Sequence, residues 1–150
     1  MATQVQGKAL LQNTHGVLSV RAAAVIPATT TGTLFNVVNG QVLVTSFFGV
    51  VTTVMSGTAT NLKINVSNTA STGNTDICAN VLVTSKAVGS IYAIPTLGSA
   101  ATIDNYGARC PAFTLGAGAI RAITDATNTG AMKWYVTYVP LDSGAYVVAA

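Results

Sequence analysis

An antiparallel all-β domain, either a β-sandwich or a jelly roll, is the fold class this sequence predicts. Three observations predict it. Short runs of β-branched and aromatic residues recur along the chain, separated by Gly, Pro, Asn, Asp and Ser. Long helix formers are scarce, Glu is absent, and no helical stretch of useful length appears. No internal repeat is present, which argues against a solenoid. At 150 residues the chain has the length of one domain with one core. The expected division is an extended N-terminal arm over residues 1–16 and a single β-domain over residues 17–150.

In chain order, the first predicted strand is VLSVRAAAVI, residues 17–26, ended by Pro27 and the turn-prone ATTTG. Next, TLFNVVNGQVLVTSFF places Asn39-Gly40 between two β-rich runs. That dipeptide suits a type I′ turn, because both central residues need positive φ, and it predicts a hairpin. The return strand is expected to run to Met55, with Gly49 marking a bend or bulge. TNLKINVSN alternates, with Leu62, Ile64 and Val66 on one face and Asn61, Lys63 and Asn65 on the other, as in a half-buried strand. Residues 67–76 read as a polar surface excursion rather than a tight hairpin. ICANVLVTS and SIYAI supply two further strands, and a turn is expected at Asp104 to Gly107. GAIRAIT is a short strand leading into the final segment.

That final segment, MKWYVTYVPLDSGAYVVAA, is apolar on both faces of its first strand. Met132, Trp134, Val136 and Tyr138 form the predicted core face, with Trp134 as its largest anchor. Lys133, Tyr135, Thr137 and Val139 form a second face with one charge and large groups, which calls for a neighbour. Pro140 to Gly144 is turn chemistry, and AYVVAA is a last strand. It either pairs within its own sheet or augments a neighbouring subunit.

Composition narrows the function classes. Half the residues are hydrophobic and only 7% are charged, against roughly a quarter in soluble domains. No charge lies between Arg21 and Lys63, yet Pro27, the Thr29–Thr31 run, Asn36 and Asn39-Gly40-Gln41 interrupt any membrane-spanning helix. The start lacks the apolar core of a secretory signal, so folding in a cytoplasm is expected. A net charge of +3 arises from scattered Lys and Arg with few acids, so no basic stripe for nucleic acid forms. The expectation is therefore neither a membrane nor a nucleic acid as partner, but shielding of surface in an assembly.

The inventory for chemistry is thin. His15 is the only histidine and lies in the expected arm. Cys78 and Cys110 lack metal-ligand spacing and read as buried thiols; a disulfide between them is the alternative, worth about 3 kcal/mol where geometry allows. Of Asp76, Asp104, Asp125 and Asp142, three adjoin turn residues, where Asp serves the backbone. No phosphate loop, His cluster or acidic metal loop appears. No catalytic, cofactor-binding or metal residue is assigned, and no enzyme is expected.

LFNVVNGQVLVTSFFGVVTTVMSGTATNLKI, TDICANV, GSIYAI and the closing segment together resemble small β-rich virion proteins of tailed bacteriophages. The most characteristic piece is Lys133, Trp134, Tyr138, Pro140, Leu141, Asp142, Gly144 and Ala145. The likeness covers about residues 33–150. It implies a head decoration (cement) protein, with the major capsid protein as partner and the capsid exterior as location. A homotrimer assembled in the host cytoplasm is the expected form. The resemblance supplies a class and no site residue. The competing expectation is a tail-fibre or adhesin-like domain binding host-surface glycan, with Tyr92, Tyr106 and Tyr146 as candidate aromatics.

Overall fold

A computed structural model describes residues 15–71, 73–104 and 110–150. The expected arm falls almost wholly outside these, as do most of the turn expected at residues 104–107 and Tyr106. All regular elements named among the described residues are strands. One sheet holds β1 (Val17–Val25), β3 (Val42–Thr53), β7 (Ile91–Ala93), β8 (Thr102–Asp104), β9 (Phe113–Leu115) and β11 (Ala131–Pro140). The other holds β2 (Thr31–Val38), β4 (Asn61–Asn68), β5 (Asn74–Asp76), β6 (Val81–Leu82), β10 (Gly118–Thr124) and β12 (Tyr146–Ala149).

The first sheet runs β1-β11-β3-β7-β8, with β9 also on β3; the second runs β12-β2-β10-β4-β5, with β6 also on β4. Every named pairing is antiparallel. The nested pairs β1·β11, β2·β10, β3·β7 and β4·β5 are those of a jelly roll, and β12 adds an edge beside β2. The all-β sandwich expectation therefore holds. The last strand pairs within its own domain, Tyr146 opposite Val38 through Ala149 opposite Phe35.

Four local expectations are corrected. Asn39 (φ 61°) and Gly40 (φ 135°) do take the positive-φ backbone that their chemistry favours. However, β2 and β3 lie in different sheets, so the turn is an arch across the sandwich and not a hairpin. Gly49 is no bulge; the register around it is regular, and the slips in β3 fall between Val44 and Ser46 and between Val51 and Thr53. A Cβ at Gly49 would meet the Trp134 ring at 2.7 Å, so the glycine is a notch that seats the indole. Residues 67–76 do form a hairpin, β4 with β5. ICANVLVTS yields only the two-residue β6 and a bridge from Ala79 to Ala100, with Ile77, Cys78 and Val83 buried along an irregular path.

The core lies between the sheets and is organised by aromatics. Trp134 stacks on Phe47 with centroids 5.4 Å apart and meets Tyr92 edge-on at the same distance. Phe47 in turn meets Phe35 of the opposite sheet edge-on, at 6.4 Å. Met132, Val136 and Tyr138 share the buried face with Trp134, as their alternation predicts. Leu62 and Ile64 are likewise buried, and Val66 packs against the core.

Arches leave backbone groups without ladder partners, and side chains supply the missing bonds. At one end of the sandwich, the Asp142 carboxylate accepts the Gln41 N–H at 2.7 Å, tying the β11–β12 arch to the β2–β3 arch. Leu141 N–H donates back to Gln41 O at 2.9 Å. At the other end, buried Asn128 accepts the N–H groups of Ser56 and Gly130 and donates to Ser56 O, Thr58 O and Thr60 Oγ1. Nearby, Asp125 accepts both the backbone N–H and the side-chain amide of Asn61, each at 2.7 Å. Thr124 Oγ1 donates to Pro27 O and Ile26 N–H to Gly130 O, which brings in the β1–β2 arch.

Two tests follow from this packing. Trp134→Ala is expected to lower unfolding free energy by about 3–5 kcal/mol in urea titration; a loss below about 1 would remove the indole from the core. The hydrogen bonds from the Asn61 side chain and then its backbone hold the exposed Asp125 carboxyl below its ordinary range. A lowered folded-state pKa means stability that is present above the unfolded value, about 4, and lost as pH falls through the folded one. The urea-midpoint difference between wild type and Asp125→Ala should therefore be seen at neutral pH and vanish in strong acid. A difference that is constant with pH would break this assignment.

Candidate docking faces

The two outer faces of the sandwich differ in chemistry. On the first sheet, residues alternating with the core positions line up across strands. Val20 of β1 lies opposite Tyr135 of β11, Tyr135 opposite Phe48 of β3, and Phe48 opposite Ala93 of β7. Neighbouring rows carry Leu18 with Thr137, Val139 with Leu43, and Val50 with Ile91. Tyr135 and Phe48 stack with centroids 4.8 Å apart. Lys133 lies opposite Val50 in the row that continues through Ile91 to Asp104 of β8, and its ammonium lies 5.3 Å from the Tyr135 ring centroid, a cation–π contact. This is the second face of β11 whose apolar character was evident in the sequence.

The apolar character continues onto the edge. Leu18 is 59% exposed, Val20 37% and Val25 60%, all on β1. Across the open side of the sandwich, β12 packs near β1 and exposes Tyr146 and Val148. A half-buried apolar face with an exposed apolar edge makes this sheet the candidate docking face.

The outer face of the second sheet is polar and pairs many of its polar groups internally, although Arg121 Nη2 is buried without a partner. Thr33, Arg121, Asn65 and Asp76 form one row across β2, β10, β4 and β5. Arg121 Nε donates to Asn65 Oδ1 at 3.0 Å, and Lys63 Nζ bridges to Asp76 at 2.6 Å. Asp76 thus pairs with a cation, while Asp125 and Asp142 serve backbone groups as their turn positions suggested.

The two cysteine thiols are placed away from solvent. Cys78 and Cys110 are both buried and unpaired. Burial pushes the Cys78 thiol up against a smaller opposing effect of its contact with Tyr92 Oη at 3.2 Å. Burial likewise pushes Cys110 up to about 11. Both are therefore protonated and poorly nucleophilic at neutral pH. Tyr92, a candidate glycan contact, is instead fully buried against Trp134, and burial first, then Cys78, raises its phenol. Tyr146 stays exposed on β12, and Tyr106 lies outside the described residues. His15 is exposed. Among the described residues no group of three His, Cys, Asp or Glu could hold a metal, and no helix is long and apolar enough to cross a membrane.

One feature escaped the sequence reading. Arg21 pairs opposite Trp134 and so points with it toward the interior, next to a slip in the β1 register between Arg21 and Ala24. Only the alternation of Leu18 and Val20 outward could have signalled it. With the geometry in view, no family model, curated protein or solved structure matches the chain.

The cysteine environments predict a labelling pattern. Neither thiol of the native protein should react with a thiol-specific disulfide reagent on a timescale of minutes, and both should react after denaturation. Rapid native labelling at either position would show that the irregular segments around them open readily.

Proposed function

We propose that the chain is a capsid decoration (cement) protein of a tailed bacteriophage, a homo-oligomer that binds the major capsid protein on the exterior of the head. The observation that carries this reading is the apolar outer face of the first sheet, continuous with the exposed β1 edge. A domain that offers such a face, with few charges on it and no assembled reactive groups among the described residues, is suited to holding a surface rather than transforming a ligand. The likeness of residues 33–150 to phage virion proteins supplies the partner.

The work of such a protein is mechanical. Each copy bridges neighbouring capsid subunits, and repetition over a lattice turns weak contacts into strong retention. A trimer is the proposed oligomer, since it would present three equivalent faces to a surface built from repeating subunits. The glycan-binding reading keeps Tyr146 as its exposed aromatic among the described residues, with Tyr92 withdrawn into the core.

Sedimentation tests the proposal. Expanded phage heads stripped of accessory proteins should carry the chain into the pellet at a saturating ratio. Leu18→Asp with Val20→Asp should weaken this by about tenfold or more while the thermal melt is preserved, because both side chains are exposed in the isolated chain. Absence of co-sedimentation, with retention on host envelope material, would transfer the protein to the glycan-binding class.

A further inference from the structure

A cleft of about 350 Å³ lies between β4 and β5 of one sheet and β9 of the other, within the range of about 300–1,000 Å³ typical of small-molecule sites. Its apolar walls are Val66, Ile77, Phe113 and Leu115. Polar groups stand where a closed core would hold apolar ones. The inward face of β4 reads Leu62, Ile64, Val66 and then Asn68. Thr75 of β5 lies directly opposite Val66, and opposed residues share a face, so Thr75 also belongs to the inner side. Asn68 Oδ1 accepts the Ala70 N–H at 2.9 Å. A Cβ at Gly116 would meet Asn68 Nδ2 at 2.8 Å, so the bare glycine makes room for the amide. Thr75 is exposed and Asn68 half-buried, which leaves both within reach of a ligand. The lining contains no acidic or basic side chain.

We infer that this cleft binds one pyranose unit of a neutral glycan. The inference does not rest on the capsid reading, and it does not use Tyr146, which is no part of the lining. The chemistry of the walls selects the occupant. An ionised ligand would give up hydration there and find no counter-charge. A wholly apolar ligand would seal the Asn68 amide and the Thr75 hydroxyl from water unpaired. A pyranose carries hydroxyls around its edge and C–H groups on its faces. It can lay one face against Phe113 while its hydroxyls bond Asn68 and Thr75, an aromatic wall beside polar donors and acceptors. Because strands of both sheets form the walls, little ordering is needed on binding.

Titration of the full chain followed by nuclear magnetic resonance tests this. The probes are methyl β-D-glucopyranoside, methyl β-D-galactopyranoside and methyl α-D-mannopyranoside, added singly. Sodium glucuronate serves as the charged comparison, and acetamide as the fragment of an Asn or Gln side chain. At least one neutral glycoside should shift the Asn68 side-chain amide and the Thr75 methyl resonances saturably. It should bind with millimolar affinity, at least about tenfold more tightly than glucuronate or acetamide. Thr75→Val keeps the shape and removes the hydroxyl, so it should weaken binding about threefold to tenfold with the thermal melt unchanged. Phe113→Leu, which removes the aromatic wall, should also weaken it; should that variant fold poorly, Thr75→Val still decides. Shifts that never saturate with any of the three glycosides, equal binding of glucuronate or acetamide, or unchanged affinity in Thr75→Val would overturn the inference. Co-sedimentation with phage heads is a separate readout, so its outcome leaves this test standing.

Discussion

The fold depends on how the chain satisfies its backbone each time it changes sheet. Seven of its connections cross the sandwich: β1 to β2, β2 to β3, β3 to β4, β6 to β7, β9 to β10, β10 to β11 and β11 to β12. A hairpin carries its ladder almost to the turn, whereas an arch must break it, and buried amides left unpaired cost as much as a lost hydrogen bond. Asp142, Asn128 and Asp125 answer that cost by bonding one arch to its neighbour, and Asn128 also braces its own through the Gly130 N–H. Because arches stack in the same order as the strands beneath them, each clamp also fixes the register of two strand pairs. The aromatic series Phe35, Phe47, Trp134 and Tyr92 fills the space that the clamped ends enclose.

Much of this was legible in the residues, and the failures share a cause. Alternation identified the buried faces of β4 and β11, because a period of two depends only on the strand and its one wet or dry side. The turn chemistry of Asn39-Gly40 was also legible, and the backbone adopts it. What alternation and turn chemistry do not contain is the partner of each strand. A positive-φ dipeptide reverses the chain equally well within a sheet or between sheets, so the hairpin expectation was a statement about topology drawn from local evidence. Gly49 failed for the complementary reason. Its role is set by the Trp134 ring, 85 positions later in the chain, and no neighbour in sequence announces it. The irregular burial of Ile77, Cys78 and Val83 is similar: apolar residues fill the core there without the ladder that their β-propensity suggested.

The docking face was legible in part. The second apolar face of β11 is visible as Tyr135, Thr137 and Val139 in alternation with the core residues. Its extension over β1 and β3 requires knowing that these strands flank β11, which is a tertiary fact. The contrast with the other sheet also emerges only in three dimensions. Arg121 finds Asn65 from 56 positions away, and Lys63 finds Asp76 from 13, so these groups pair within their own face. One face thereby pairs many of its polar groups and the other presents apolar side chains, an asymmetry that composition alone averages away.

A jelly roll is a scaffold for many functions, so the fold by itself selects none of them. Selection has to come from how a charge-poor chain uses its few charges. Lys63 and Asp76 neutralise each other, Asp125 and Asp142 hold backbone, Arg121 bonds Asn65, and Lys133 rests near Tyr135. Arg21 stands inward where β1 and β12 lie near each other, with Nε buried and unpartnered, and Nη2 of Arg121 is likewise buried without a partner. An apolar face alone would bind any apolar surface, including other copies of itself in the wrong register.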